Sequence, residues 1–391
     1  MIPAASLHVA HLGFFDDPMA RAPQELLRAW PTLVDVAEAA GGAGVRVSVV
    51  QASVHRETLE QNGVRYHFLP VAAGPRRGDV ASLAKLLREL APDLLHVHGL
   101  AFCREVLALA ALIPELPLVL QDHASAPPRI WRRPLWRRAF ARARGIAFCA
   151  AAQATPFARA GLLGPHTRIY AIPESTSRFL PGDRREARRS TGIDGEPALL
   201  WVGHLDANKD PLTVLDAVST AVRTLPHLKL WCCFGAAPLL DRVQRRIAGD
   251  ERLRGRVRLL GEVPHARIEP LMRAADLFVL GSHREGSGYA LLEALACALP
   301  PVVTDIPSFR ALTGAGAVGR LWPCEDAPAL AVALQTAARH TGSDARRAVR
   351  AHFEHELSSA ALGRKLAAMY HSALGRMQRA SSAPLPRPGV S

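Results

Sequence analysis

Two carboxylates and two glycines lie close together in the segment SHREGSGYALLEALAC, residues 282–297. Glu285 precedes a predicted helix that follows an apolar strand, and Glu293 lies inside that helix. Open α/β sheets bind ligands in the loops at the carboxyl ends of their parallel strands. Gly286 and Gly288 allow a ligand to approach the backbone, and the helix N-terminus offers free N–H groups to a phosphate. The spacing therefore predicts a phosphate-binding loop flanked by two carboxylates.

Either glutamate alone would be ordinary, because charged residues are common at a helix start and on a solvated helix face. Glu293, however, lies within the apolar run ALLEALA. Burying an unpaired charge in such a run would cost several kcal/mol or more, so the carboxylate needs a partner. One such partner is a pair of hydroxyl groups on a ligand, from which the carboxylate can accept hydrogen bonds. The context favours a ligand-binding role for Glu293 over a purely structural one.

A second segment, WVGHLDANKDP at residues 201–211, has a similar layout. A predicted strand ends at Gly203, a loop carries His204 and Lys209, and a helix begins at Pro211, a residue favoured in the first helical turn. Lys209 is placed to reach a phosphate at the end of the strand. In isolation, a lysine in such a loop would be more simply explained as an ordinary surface residue.

Together the two segments resemble glycosyltransferase family 4, whose members are retaining nucleotide-sugar enzymes. The resemblance is dense over residues 198–326 and looser in the first half of the chain. It implies an α/β protein of GT-B fold, in which two Rossmann-like domains with parallel sheets face each other across a cleft. It also implies a nucleoside diphosphate sugar as donor and no metal ion or other cofactor, because protein cations and N–H groups can stabilise the leaving group.

The resemblance assigns roles to individual residues. Glu285 would hold the donor sugar, Glu293 the ribose, and His123 would lie near the sugar hydroxyls. Glu285 and His123 are therefore the expected catalytic residues. The expected donor-binding residues are His204, Lys209, Arg284, Gly286, Ser287, Gly288 and Glu293. Within that set, Lys209 would neutralise the diphosphate and the N–H groups of the glycine loop would bind its phosphates.

Several positions differ from the family pattern. His204 stands where the family usually has an arginine, so either Arg284 compensates or donor affinity falls as the pH rises and the imidazole loses its charge. The segment IPES, residues 172–175, stands where the family usually has Ile-Pro-Asn-Gly. The paired glycines common after the first strand are reduced to Gly13. The acceptor side is therefore the part least defined by the resemblance.

Strands and helices alternate along both halves of the chain, a pattern typical of βαβ units around parallel sheets. One long amphipathic helix is expected around Pro23–Ala40. The predicted organisation is a Rossmann-like, acceptor-side domain at 1–170, a linker at 171–196, a Rossmann-like nucleotide-sugar-binding domain at 197–343, C-terminal helices at 344–380 and a disordered tail at 381–391.

Composition and charge narrow the partners and the location. The 391 residues include 48 basic and 35 acidic side chains, and the formal charge of +13 favours anionic partners. Nucleic acid is not expected, because a recognition motif is lacking. Apolar runs stay short of the roughly 18 residues of a membrane span. A secretory leader is also missing, and the six cysteines lack paired spacing, so a cytoplasmic location is expected.

Two further features leave alternatives. His96 and His98 share a strand face, but no third ligand is expected nearby, so no metal site is predicted. The basic segment 129–144 carries Trp136 and Phe140 on one face. Either these aromatic side chains pack on the first domain, or the segment contacts an anionic membrane and places the protein peripherally at its inner face.

The expected function is transfer of a sugar from a nucleoside diphosphate sugar to a glycan or lipid-linked acceptor that the sequence does not identify. By resemblance, the transfer proceeds with retention and without metal. The alternative is a non-catalytic nucleotide-sugar-binding or membrane-docking partner that kept the fold. A nucleotide-sugar epimerase is a further alternative on grounds of fold alone.

Overall fold

The computed structural model describes residues 6–70 and 77–375. The first sheet is formed by the first half of the chain. Its elements are β1 (His8–Gly13), α1 (Pro23–Ala29), α2 (Pro31–Gly42), β2 (Arg46–Ser53), β3 (Glu57–Gln61), β4 (Val64–Pro70), α3 (Arg77–Leu90), β5 (Leu94–His98), α4 (Cys103–Leu112), β6 (Leu118–Gln121), α5 (Arg133–Phe140), β7 (Ala143–Phe148), α6 (Thr155–Arg159) and β8 (Ile169–Ala171). The strand order is β3-β4-β2-β1-β5-β6-β7-β8, and all neighbours are parallel except β3 and β4.

A second, fully parallel sheet follows in the order β11-β10-β9-β12-β13-β14. The elements of this half are α7 (Arg184–Thr191), β9 (Ala198–Val202), α8 (Pro211–Ala221), β10 (Lys229–Cys233), α9 (Leu240–Ala248), β11 (Val257–Gly261), α10 (His265–Ala274), β12 (Leu277–Leu280), α11 (Tyr289–Ala296), β13 (Pro301–Thr304), α12 (Pro307–Leu312), β14 (Arg320–Trp322), α13 (Ala327–Ala338), α14 (Ser343–His352) and α15 (Ser359–Ala373). The predicted α/β architecture with two parallel sheets is confirmed.

Strand register brings the candidate residues to one edge of each sheet. In the first sheet, His11 of β1 lies opposite His96 of β5, and Gly13 lies opposite His98. In the second sheet, β9 and β12 are neighbours. Because both strands are parallel, the loops that follow them leave the same edge side by side. These are the two loops predicted to bind phosphate.

Trp30 separates two helices, so the prediction of one long helix around Pro23–Ala40 is wrong. α1 ends at Ala29 and α2 begins at Pro31. Proline has no N–H to donate and disfavours helical backbone at the residue before it, and Trp30 accordingly has a ψ angle of 68°. The break turns the Trp30 side chain into a position where it borders both cavities described below.

The segment 171–196, predicted as the linker, contains helix α7. Asp183 caps this helix by accepting a hydrogen bond from the backbone N–H of the first turn at 2.7 Å, and Gly192 ends it in the left-handed region with φ 74°. Arg188 of the helix pairs with Asp276 at 2.7 Å. The helix is thereby attached to the second domain.

The C-terminal helices divide between the two domains. Val349 of α14 lies in the apolar core around the second sheet, whereas Leu366 and Tyr370 of α15 lie in the core that covers β1 and β2. Gly363 allows the close approach of α15 to α2, because a Cβ atom at this position would overlap the backbone oxygen of Ala39. The chain therefore passes from the first domain to the second and back again.

The basic segment 129–144 has its aromatic helix face buried. Trp136 and Phe140 of α5 are 4% and 1% exposed and pack beside Phe157. These two side chains therefore pack on the first domain, as the first of the two alternatives states. The exposed apolar side chains are Ile130 at 70% and Trp131 at 68%, just before α5. An apolar surface therefore exists in this segment, at different residues from those predicted.

Within residues 6–70 and 77–375, no helix combines the length and the apolar character needed to cross a bilayer. The predicted disordered tail at 381–391, and the end of the predicted C-terminal helical region at 376–380, lie outside the described residues.

Candidate functional site

A cavity of about 850 Å³ lies between the two domains. Trp30 and Asp35 contribute to its first-domain wall, and the loops after β9, β10 and β11 contribute to the second-domain wall. The predicted residues that line this cavity are His204, Lys209, Glu285 and Glu293. The structure thus brings together four predicted residues from two loops and one helix.

Lys209 and Glu285 form an ion pair in this cavity, with only 17% and 13% of their side chains exposed. The lysine is held by its loop: its backbone N–H donates to Asp206 Oδ1 at 2.9 Å, and Asp210 caps the following helix α8. Each charge compensates the other, as burial requires. A diphosphate entering the cavity would find a cation already desolvated and positioned.

Glu293 also has a charged partner, because His265 Nε2 lies 2.5 Å from Glu293 Oε1. The hydrogen bond to Glu293 raises the pKa of His265, against the opposing effect of burial and with a smaller contribution from Asp35. Only 15% of the Glu293 side chain is exposed, within a helix whose other side chains are mostly buried. The charge in the apolar run therefore has the partner that the sequence requires.

Of the remaining basic candidates, His204 borders the cavity and Arg284 lies elsewhere. His204 is exposed, and its Nδ1 accepts a hydrogen bond from the backbone N–H of Ala236 at 3.1 Å. Arg284 instead lines a separate cavity of about 140 Å³, together with Asp122 and Glu285. This small cavity shares Glu285 with the larger one, and the expectation that Arg284 compensates for the missing arginine stays a prediction.

The glycine loop is buried beneath a carboxylate from the segment that joins the two sheets. Gly286, Ser287 and Gly288 are all buried, and the backbone N–H of Ser287 donates to Glu174 Oε1 at 2.5 Å. Glu174 Oε2 forms an ion pair with His123 Nδ1. One of the N–H groups expected to bind phosphate is thus bonded to a protein side chain that links it to His123.

His123 borders a second cavity, of about 650 Å³, on the first-domain side. Glu174 and Asp122 raise the pKa of His123 although burial opposes them. Trp30 and Thr32 line both cavities, which are therefore neighbours. Much of the second cavity wall is apolar, and the apolar side chains in it include Phe15, Met19, Trp30, Leu33, Val36 and Phe102.

Behind His123 lies a group of histidines. His98 Nδ1 is 3.2 Å from His123 Nε2, and potential ligand atoms of His11, His96 and His98 lie within 4.8 Å of one another. The expectation that no third ligand lies near His96 and His98 is therefore wrong. Burial lowers the pKa of His11 to about 3 and that of His96 well below its usual value, so both are neutral. The Tyr370 hydroxyl bonds His11 Nε2 at 2.8 Å and His96 Nδ1 at 2.9 Å.

Sequence reasoning missed several of these residues. Glu174 could have been found, because the segment IPES departs from the asparagine of the family pattern at this position. His265 and Tyr370 carry no such signal, since their partners Glu293 and His96 come from distant parts of the chain.

Two family models match this chain. Residues 31–174 match the model for glycosyltransferase family 4, and residues 183–351 match the model for group 1 glycosyl transferases. The two matches cover the first and the second domain respectively, and the second includes the loops that carry Lys209 and Glu285.

Curated relatives are glycosyltransferases. A GDP-mannose:cellobiosyl-diphosphopolyprenol alpha-mannosyltransferase of Xanthomonas oryzae is 26% identical over 261 residues, which is 64% of this chain and 66% of the relative. A D-inositol 3-phosphate glycosyltransferase of Nocardia farcinica is 30% identical over 162 residues, 39% of this chain and 36% of the relative. The aligned regions therefore span less than two thirds of the length of these relatives.

Solved structures share the fold along nearly the whole chain. A glycosyltransferase from Rickettsia africae has a TM-score of 0.71 at 12% identity, covering 96% of this chain and all of that one. HepE of Anabaena, solved with UDP, has a TM-score of 0.68 at 18% identity, covering 94% of this chain and all of that one. Because the two family models together match both domains, the chain belongs to glycosyltransferase family 4, and the solved structures show that it has the GT-B fold.

Proposed function

We propose that the protein transfers a sugar from a nucleoside diphosphate sugar to a glycan or lipid-linked acceptor, with retention of anomeric configuration and without a metal ion. The observation that carries the proposal is the cavity of about 850 Å³ between the domains, which gathers Lys209, Glu285 and Glu293. The relatives named as a mannosyltransferase and an inositol phosphate glycosyltransferase support transfer as the reaction class. The HepE structure with UDP supports a nucleotide donor.

In this proposal each charged pair changes partners when the donor binds. Glu293 accepts hydrogen bonds from the ribose hydroxyls in place of the one from His265, and Lys209 turns from Glu285 towards the diphosphate. A preorganised cation in a partly buried site stabilises the charge that develops on the leaving diphosphate. The same stabilisation is what a metal ion would otherwise supply, and for this reason we propose a metal-free reaction.

Glu285 and His123 are the proposed catalytic residues. Released from Lys209, Glu285 holds the donor sugar, while His123 contacts the sugar hydroxyls from the first-domain side. Before the donor binds, His98 and Glu174 bond opposite ring nitrogens of His123 and fix its orientation, and a sugar hydroxyl then takes the place of His98 at Nε2. Retention follows from attack by the acceptor on the same face from which the diphosphate leaves.

We place the acceptor in the second cavity, of about 650 Å³. Phe15 and Met19 at its edge are 59% and 70% exposed, and apolar side chains of this size rarely face water without a function when they are grouped. The apolar wall suits an acceptor with a hydrocarbon portion, and His123 lies where the hydroxyl of that acceptor would meet the donor sugar. A lipid-linked acceptor fits these features better than a free polar glycan.

Thermal unfolding with UDP, GDP, ADP and their common sugar conjugates tests the donor site. A ligand present at 100 times its Kd stabilises by about 2.7 kcal/mol, which is readily detected. We expect one nucleotide to shift the wild-type transition and to shift Glu293→Gln much less. If every nucleotide leaves the wild-type transition unchanged, the donor site is not functional.

We further propose that the protein contacts the inner face of an anionic membrane through Ile130 and Trp131. Both are exposed, and Arg129 stacks over the Trp131 ring at 5.3 Å. Arg132 and Arg138 are also exposed in the same segment. Apolar side chains surrounded by arginines suit the boundary between anionic headgroups and acyl chains. Ser125, a few residues before Ile130 in the chain, lines the second cavity, so this contact would bring that cavity towards membrane-embedded acceptors.

Co-flotation with liposomes tests the membrane contact. Wild-type protein should float with vesicles that contain anionic phosphatidylglycerol and much less with pure phosphatidylcholine. The double variant Ile130→Ser with Trp131→Ser should lose this binding. Val332→Ser is the control, because Val332 is 62% exposed on the second domain. Equal flotation of the wild type and the double variant would exclude this surface.

A further inference from the structure

Glu174 is a buried carboxylate placed between the two domains. It follows β8 in the segment that leads from the first sheet to the second, and only 6% of its side chain is exposed. A carboxylate buried this deeply must be compensated by opposite charge or by several hydrogen bonds. The proposed reaction gives Glu174 no task beyond orienting His123.

The compensation comes from the glycine loop on one side and from His123 on the other. Ser287 N–H donates to Glu174 Oε1, and His123 Nδ1 pairs with Glu174 Oε2. In return, the backbone N–H of Glu174 donates to Ser287 Oγ at 2.9 Å. The carboxylate lies so close over the loop that a Cβ atom on Gly286 would overlap its Oε1 atom. A larger residue at 286 would therefore have to push the Glu174 carboxylate off the loop.

These contacts are those that an anionic ligand would make. A backbone N–H next to a helix N-terminus, a glycine that permits close approach and a neighbouring histidine form a typical environment for a phosphate oxygen. Within α11 itself, the N-terminus has no side-chain cap. Glu174 thus takes the place of a phosphate with respect to Ser287.

We propose that Glu174 is an internal competitor of the donor diphosphate, which must displace its carboxylate from Ser287 N–H to bind, so that Glu174 limits donor affinity. This inference rests on the proposed function, because it presupposes a diphosphate on the glycine loop. A single N–H cannot serve a carboxylate and a phosphate fully at the same time. Two anions at that distance also repel each other in a buried site.

Competition predicts a gain of affinity when the charge is removed. Hydrogen bonds to an ionised acceptor are roughly twice as strong as those to a neutral one. A glutamine at this position would therefore bind Ser287 N–H more weakly and repel no phosphate. An ordinary structural residue would behave in the opposite way, since its loss would loosen the loop and weaken ligand binding.

Isothermal titration calorimetry of UDP, GDP and ADP against the full chain tests the proposal. The variants are Glu174→Gln and Glu174→Asn, the second of which restores the residue usual in the family pattern. Glu262→Gln is the control, because Glu262 is exposed and borders the same donor cavity. The substitution removes an equal charge from a residue that does not contact Ser287. Thermal unfolding without ligand verifies that each variant is folded.

We expect Kd for the bound nucleotide to fall about tenfold or more in both Glu174 variants, equivalent to about 1.4 kcal/mol. Kd should stay within about twofold in Glu262→Gln. Binding by the Glu174 variants alone, with none by the wild type, would also support competition. Unchanged or weaker binding in folded Glu174 variants would overturn it while leaving the proposed function intact. If neither wild type nor variants bind any of the three nucleotides, the proposed function and this inference both fail.

Discussion

Replacing Tyr370 by phenylalanine would remove one oxygen atom from the interior of the first domain and leave the packing of the ring unchanged. The side chain is fully buried on α15, and its hydroxyl lies between His11 and His96 of two adjacent strands. The substitution therefore isolates the contribution of one buried hydroxyl that holds the C-terminal helix to the first sheet.

The magnitude follows from the hydrogen bonds of this hydroxyl. It can donate one hydrogen bond, so one of the two histidine nitrogens accepts and the other must donate its own N–H. Both imidazoles are kept neutral by burial, which lowers the pKa of each. Without the hydroxyl, one N–H group and one lone pair lose their partner, at about 1–3 kcal/mol each. We expect Tyr370→Phe to lower the free energy of unfolding by about 2–6 kcal/mol, the sum for the two groups.

Urea unfolding followed by circular dichroism and tryptophan fluorescence measures this loss. Tyr170→Phe is the matched control, because Tyr170 donates to Ser372 Oγ of the same helix at 3.1 Å but is only partly buried. The control should lose less than about 1 kcal/mol, since water can replace its partner. If Tyr370→Phe is no more destabilised than Tyr170→Phe, the two histidine hydrogen bonds do not stabilise the fold as reasoned.

Three other predictions concern the donor cavity. Lys209→Gln should raise Kd for the bound nucleotide about tenfold or more, because hydrogen bonds to charged groups contribute about 1.5–3 kcal/mol, and an unchanged calorimetric Kd would contradict its role. Because the pKa of His265 is raised in the folded protein, its ion pair with Glu293 contributes fully to the free energy of unfolding below pH 6.5. This contribution is lost as the pH rises through the raised pKa. Between pH 6 and 8.5 the melting temperature of the wild type should therefore fall more than that of His265→Asn; parallel curves would exclude this contribution. Sugar transfer should persist in excess EDTA, and loss of transfer that Mg²⁺ or Mn²⁺ restores would refute a metal-free reaction.

The second-domain half of the site was predictable from the sequence for a physical reason. Lys209 and Glu285 each follow a short apolar strand, and parallel sheets gather such loops at one edge. Because β9 and β12 are neighbours, the two loops meet directly. The apolar run around Glu293 correctly indicated a partnered carboxylate, because an unpaired charge among apolar side chains is costly in any fold. The partner in the structure is the protein side chain His265, which the sequence did not indicate.

The rest depended on contacts between distant parts of the chain. Glu174 meets Ser287 only because the two sheets approach each other, and no local pattern encodes that approach. Helical periodicity showed that Trp136 and Phe140 share a face, but it cannot tell a face packed on a core from one that meets lipid. The antiparallel β3–β4 hairpin, with Asn62 in its turn, was also missed, although an Asn-Gly pair between strands is a typical hairpin turn.

The return of α15 to the first sheet has a consequence for biosynthesis. On the ribosome, the first sheet emerges early, yet Leu366 and Tyr370, which complete its apolar core, emerge only after the entire second domain. Contacts between such distant residues form slowly because a long loop must close first. The nascent first domain would thus expose an apolar surface over β1 and β2 throughout translation of the second domain. An apolar surface left exposed for this interval would be prone to aggregation and a target for chaperones.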